Sequence, residues 1–419
     1  MKLRLLSPLP VLALASSAFA GESATTTPAL TNNGPEALAG IRPILDIRTR
    51  YEFREEGDLD PSHALTSRAR AGLTTAEWNG WSALAEMEAT HAFVDDYKSN
   101  PTGSNATQPF VTGNTVIFDP ENYELNRAYL QYRHEDFTIR AGRQRIIRNN
   151  QAMLGTVGWR QNEQTFDAAS LTYARNGFEF AYAYANRAQR IFGSDADDAP
   201  AGSPLKNFEG DFHFLDVSTK VGEGKLGGYA YLADINNNTA VGKTHTFGTH
   251  FEQGGLRLEA AWQDGESSLV TGGDYDAFYG HLTYTQKIGG AVYGGGFEYL
   301  EENFKTPFAT VHAFNGFADA FILQRIGVTK AGGFEGLGDL YLSYVRPGLP
   351  WDCKFLGFAH YYLNDGLGDA YGWEVDGALV KQFNEQLSGT LKASFFVEDD
   401  GVGGFEDINQ VSFQLDYSF

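Results

Sequence analysis

The feature that most constrains this chain is strict two-residue alternation, repeated from near residue 42 to the last residue. In "LDIRTRYEFR", Leu45, Ile47, Thr49, Tyr51 and Phe53 fall on one side, and Asp46, Arg48, Arg50, Glu52 and Arg54 on the other. A pleated strand sends successive side chains to opposite faces, so one face is apolar and the other almost wholly charged. The closing "VSFQLDYSF" repeats the scheme, with Val411, Phe413, Leu415, Tyr417 and Phe419 on one face. About eighteen such candidate strands can be counted. Short connections such as "NG" (79–80), "RHED" (133–136), "RNG" (175–177) and "GEG" (222–224) alternate with long polar ones at 94–122, 149–163, 188–210, 264–274 and 302–336. Short turns at one end and long loops at the other are the pattern of an all-β, transmembrane, antiparallel up-and-down β-barrel. Closure removes the sheet edge and satisfies the backbone inside a bilayer. A soluble β-sandwich or solenoid would account for the alternation, but not for the terminal aromatic strand or the loop asymmetry.

The ends of the chain agree with export. "MKLRLLSPLPVLALASSAFA" has Lys2 and Arg4, an apolar run, and Ala18-Phe19-Ala20. That is the layout of a signal peptide over 1–20. Residues 21–41 are polar and small, and read as a flexible lead-in, leaving 42–419 for the barrel. The single cysteine, Cys353, excludes an intramolecular disulfide. No run of some 18 apolar residues predicts a membrane helix. The net charge of -21 argues against nucleic acid as a partner. Trp78, Trp81, Phe137, Phe178, Trp351, Phe383 and Phe419 flank short turns or the terminus, where a periplasmic aromatic girdle and outer-membrane lipid would meet.

"LDIRTRYEFR", "IRAGRQRI", "GWRQNEQTFDAASLTY", "HAFNGFADAF" and "GLGDLYLSY", in that order, resemble the alginate-export family of outer-membrane porins. "GWRQN" is the most specific of these and "GRQ" the least. The resemblance implies an eighteen-stranded barrel and an arginine-lined constriction that passes an anionic polysaccharide. It also implies a third long loop folded into the lumen, and a protein that acts as a monomer, with a trimer left open.

Heights along the barrel axis single out one level. Arg48 and Arg50 are central in the first strand, Arg68 and Arg70 in the second, Glu86 and Glu88 in the third, Arg127 in the fourth and Arg140 in the fifth. All oppose apolar neighbours, such as Leu73, Met87, Ala128 and Ile139, and so face inward. An arginine at the lipid midplane would cost about 2–4 kcal/mol. On these five strands Arg48, Arg50, Arg54, Arg68, Arg70, Arg127, Arg133 and Arg140 outnumber Asp46, Glu52, Glu86 and Glu88, eight to four. Two readings stay open. The acids brace the arginines into the wall, or the surplus guanidinium groups line a pore and attract anions. Arg143 and Arg145 break the alternation, and a bulge near Gly142 is expected to turn one of them inward. Arg148 and Arg160 border the third long loop, where anchoring competes with solute contact.

An enzyme is not expected. The nine histidines are scattered, and neither HExxH nor GxSxG occurs. No cofactor and no metal site is predicted; Asp95-Asp96 and "DADD" (195–198) read as solvated acidic loops. The expected function is passive passage of hydrophilic, anionic solutes, with a uronate-containing saccharide as cargo. A general porin with slight anion preference, a barrel hydrolase and an adhesin are the alternatives.

Overall fold

A computed structural model describes residues 40–102, 104–196, 205–312, 314–327, 334–399 and 402–419. The proposed signal peptide and nearly all of the lead-in lie outside the described residues. Eighteen strands follow one another. They are β1 (Arg42–Glu56), β2 (Ser62–Thr74), β3 (Trp81–Asp96), β4 (Asn122–His134), β5 (Phe137–Gln144) and β6 (Thr165–Arg175). Then come β7 (Phe178–Gln189), β8 (Asn207–Val221), β9 (Gly224–Ile235), β10 (Lys243–Gln253), β11 (Leu256–Glu266) and β12 (Asp274–Ile288). The last are β13 (Ala291–Leu300), β14 (Leu337–Leu349), β15 (Cys353–Leu363), β16 (Ala370–Gln382), β17 (Leu387–Glu398) and β18 (Ile408–Ser418). Each pairs antiparallel with its sequence neighbour, and β1 pairs with β18 from Asp46↔Ser418 to Glu56↔Ile408. The sheet therefore closes into a barrel without a free edge.

The alternation sorts the two faces as expected. Leu73, Met87, Ile139, Leu340 and Leu342 are exposed on the outer wall, while their neighbours Arg70, Glu86, Glu88, Tyr341 and Ser343 are buried inside. The girdle residues Trp78, Trp81, Phe137, Phe178, Trp351, Phe383 and Phe419 are all exposed beside the short-turn end. Leu342 is 67% exposed at the middle of β14. Leu342→Arg is expected to destabilise the barrel by about 2–4 kcal/mol in vesicles, read as a lower urea midpoint for unfolding from lipid.

Two local expectations are corrected. The alternation around "IRAGRQRI" predicts a fifth strand over about 137–147, but the strand ends at Gln144. Beyond it the chain leaves the wall for the interior: Ile146 is buried and Arg145 bonds Glu163. The bulge lies not at Gly142 but in β4, where Glu86↔Arg127 is followed by Met87↔Leu125 and Asn126 is the extra residue. A bulge shifts parity, so Asn126 and Arg127 both reach the inward Glu86. Gly142 has another reason to be glycine: φ is +123°, and a Cβ there would sit 2.2 Å from the Ala128 carbonyl oxygen.

The lumen is filled. The connection 145–164 and the described residues of the connection 301–336, which carries a short helix α1 (Ile322–Arg325), both fold inward. Two aromatic anchors seat the second. Phe308 packs against Phe166, Phe212 and Phe214, and Phe321 against Tyr362, Tyr371, Phe396 and Phe405. A fully buried Phe contributes about 1.5–3 kcal/mol. The two connections also bond each other. Gly155 N donates to Phe308 O (2.8 Å), Gln164 Nε2 to the same oxygen (3.0 Å), and Thr310 N to Gln151 O (3.1 Å). They form one plug.

Candidate functional site

The arginines of β1 and β2 meet the 145–164 segment. Arg48 Nε donates to Asp416 Oδ1 (2.7 Å), and its Nη1 donates to the carbonyls of Gly158, Trp159 and Arg160 (2.9, 3.1 and 3.1 Å). Arg50 donates to Gln414 (2.9 Å), Asp119 (3.1 Å) and the Trp159 carbonyl. Arg68 pairs with Asp46, and its Nε and Nη1 are buried with no hydrogen-bond partner. Arg70 pairs with Glu88 and approaches Glu163 (3.6 Å). In the ladder Arg48 stands directly opposite Arg68, a like-charge pairing that destabilises a sheet.

Arg127 takes Glu86 bidentately (2.9 and 2.6 Å). Arg160 is fully buried, with Glu52 at 3.0 Å, Asp319 at 3.2 Å and Asp119 at 3.8 Å. Its guanidinium lies 4.1 Å from the Trp159 ring centre. Arg48, Arg50, Arg68, Arg70, Glu86, Glu88, Arg127 and Arg160 are thus brought together. Arg140 and Arg143 are not. Arg140 is one level nearer the short turns, bonded to Gln131 (2.8 Å) and stacked over Tyr129. Arg143 sits opposite Asp167 and bonds it (2.7 Å), on the other face from the buried Gln144 and Phe166. Of the remaining basic residues named from sequence, Arg133 is exposed near Glu77, and Arg148 pairs with Asp216 at 3.3 Å.

Sequence reasoning missed half of the network. The arginine surplus on five strands is met by carboxylates from elsewhere: Asp416 on β18 takes Arg48, Asp119 takes Arg50 and Glu163 approaches Arg70, while Asp319 takes Arg160 inside the plug. Asp416 was findable, since it alternates with Leu415 and Tyr417. At the centre, Trp159 stacks on His312 (3.5 Å between ring centres), and Lys392 Nζ lies 3.6 Å from the same indole. Burial and the nearby Lys392 push the His312 ring down to about 3, so it is neutral. Its Nδ1–H then donates to Asp319 Oδ1 (3.0 Å), and its Nε2 accepts from Lys392 Nζ (3.1 Å).

Two cavities lie off this knot and share no lining residue. One of about 160 Å³ touches Arg54, Phe118, Asp319 and Phe405 on the long-loop side. The other, about 410 Å³, opens toward the short-turn side and touches Arg148, Asn150, Asp216, Lys225 and His250. Among the described residues no cluster of His, Cys, Asp and Glu has the arrangement of a metal site.

A closed eighteen-stranded barrel with an apolar outer band, an aromatic girdle and a charged interior is an outer-membrane channel of the porin class. The alginate-export family profile matches residues 44–284, and the chain belongs to that family. No curated protein sequence matches it. Solved structures share the fold. OccK9 (OpdG) of Pseudomonas aeruginosa is similar at TM-score 0.63 and 13% identity, over 91% of this chain and 99% of that one. OpdK of the same organism, solved with vanillate, gives 0.62 and 13% over 91% and 99%. OccAB4 of Acinetobacter baumannii gives 0.62 and 12% over 92% and 100%.

Proposed function

We propose that this channel passes hydrophilic, anionic solutes passively, with uronate-containing saccharides of the alginate kind as the favoured cargo, each barrel acting as a monomer. The observation that carries this reading is the opposed, buried pair Arg48 and Arg68, with two nitrogens of the Arg68 guanidinium, Nε and Nη1, unspent. A wall needs no such pair for bracing, because it costs stability. In the plugged state the carbonyl oxygens of residues 158–160 occupy Arg48, and that of Trp159 occupies Arg50. Carboxylate and hydroxyl oxygens of a saccharide take the same donors when the segment withdraws, and guanidinium suits carboxylate geometrically. Exchange of one oxygen for another keeps the sites weak enough to release cargo. Arg127 with Glu86 and Arg70 with Glu88 hold the row in place. Arg140 serves the approach on the short-turn side of it, and Arg143, on the other face of β5, is left out of the path.

Reversal potential in a salt gradient across a planar bilayer, with and without oligouronates, tests the proposal. Anion preference and block by oligouronates are expected; cation preference without block overturns it. Weak anion preference without block would instead indicate a general diffusion porin. Arg50→Ala with Arg70→Ala is expected to lower the anion preference several-fold. Unchanged selectivity with an easier-unfolding barrel would leave these arginines as braces alone.

A further inference from the structure

The wall formed by β13 to β16 has the opposite chemistry to that of β1 and β2. Glu298 of β13 and Asp339 of β14 face each other directly in register, and both are buried inside. On β16, Glu374 and Asp376 point inward at alternate positions, and both are buried. Like charges opposed across a ladder destabilise it, and a buried carboxylate without a partner is costly. Both oxygens of Asp376 are buried, beside the carboxyl group of Glu374 and within the field of Lys392 on the neighbouring strand. The nearest ring nitrogen of the wall belongs to His360, whose Nε2 is 3.7 Å away and whose Nδ1 lies 2.9 Å from Asp339. Lys392, on the neighbouring strand, is engaged with His312 and the Trp159 ring.

The plug supplies what this wall lacks. Arg325 of α1 reaches both oxygens of Glu298 at 2.9 Å and lies 5.1 Å from the centre of the Phe314 ring. Asn315 Nδ2 donates to Glu298 (2.8 Å) and to Asp339 (3.0 Å). A void of about 10 Å³ remains between Phe314, Glu298, Asp339 and His360. Carboxylates with an aromatic face beside them are the chemistry that recognises an organic cation. Here the chain's own guanidinium fills the place.

We propose that the β13–β16 wall is a recognition site for an organic cation, a guanidinium or primary ammonium group carried by a solute, and that Arg325 holds that place while the plug is seated. The two walls then present opposite chemistry to the lumen: guanidinium donors on β1 and β2, carboxylate acceptors on β13 to β16. The plug answers each in kind, with carbonyl oxygens from 158–160 on the first and Arg325 on the second. An entering cation competes with Arg325 for Glu298, which loosens α1.

Agmatine is a suitable probe, with sodium at matched ionic strength and neutral ethylurea as controls. On the full-length protein in a planar bilayer, millimolar agmatine is expected to produce discrete current transitions whose frequency rises with its concentration. The controls should produce none. Glu298→Gln with Asp339→Asn should lower that frequency at least tenfold. Arg325→Ala removes the resident cation and keeps the carboxylates, so agmatine should raise the thermal midpoint of this variant in detergent more than that of the wild type. Equal action of agmatine on the wild type and the carboxylate variant overturns the proposal. So does an Arg325→Ala protein that agmatine stabilises no more than sodium does; this second arm decides if the double variant fails to fold. The anion reading is tested on the opposite wall with oligouronates, so either proposal can fail while the other stands.

Discussion

Arg160→Ala is expected to unseat the plug while the barrel stays closed. Arg160 is the common partner of Glu52, Asp119 and Asp319, and all four side chains are buried. Removing one member of a buried charge network costs about 3–5 kcal/mol, because the remaining charges stay buried without compensation. Here the carboxylates cluster around the vacancy, and Arg50 is left as the cation facing Glu52 and Asp119. The same change removes the guanidinium stacked on Trp159. The wall strands keep their ladders, so the cost falls on the seated state of segments 145–164 and 301–336. By the rule that 1.4 kcal/mol is tenfold, the unseated population rises about a hundredfold or more. Single-channel conductance should increase, and trypsin should cut within these segments while the barrel core resists. Unchanged conductance with an intact plug would show that Arg160 does not hold it.

The wall was legible in the sequence because its signal is local. Arg48, Arg50, Arg68 and Arg70 alternate with apolar residues that face the bilayer, and no register slip is tolerated when one face is lipid and the other polar. Arg127 reached its expected inward position by another route. Its parity is set by the extra residue Asn126, and the cue taken from Gly142 pointed to the wrong strand. The same alternation in Trp373-Glu374-Val375-Asp376 turns two carboxylates inward, so the acidic wall was readable strand by strand.

The resemblance implied that the third long loop, which Arg148 and Arg160 border, folds into the lumen, and 145–164 does so; the second filling segment, and the wall that each one meets, were not readable. The contact of Arg48 with the Gly158 carbonyl spans 110 residues, and that of Arg160 with Asp319 spans 159. Nothing in the polar composition of a long connection fixes which wall it meets. Inward aromatics such as Phe166, Phe212 and Phe214 break the expectation of a polar interior. They make sense only once Phe308 is placed among them. The charge surplus on five strands was real as a local count, and distant carboxylates met it.

Gly316→Val should unseat the plug from its other end, and pairing it with Arg160→Ala tests whether there is one plug or two independent loops. Gly316 has φ of +83°, which a β-branched residue strongly disfavours. A Cβ there would lie 2.3 Å from the carboxyl carbon of Glu374. That carboxylate accepts from the backbone N–H groups of Phe317 (2.6 Å) and Ala318 (2.7 Å), so it cannot retreat without releasing both. The single variant should therefore raise conductance and proteolysis at 301–336 by a large factor. If Arg160→Ala has already freed both segments, adding Gly316→Val changes little, because the anchoring it breaks is already lost. The cycle should then show an interaction of about 0.5–3 kcal/mol in the open–closed equilibrium, the size expected for sites in one network. The physical links are the Arg160–Asp319 pair, the Trp159–His312 stack and the backbone bond from Gly155 to Phe308. Effects that add to within about 0.5 kcal/mol would mean that the segments open separately, and that a solute could pass one wall while the other stays covered.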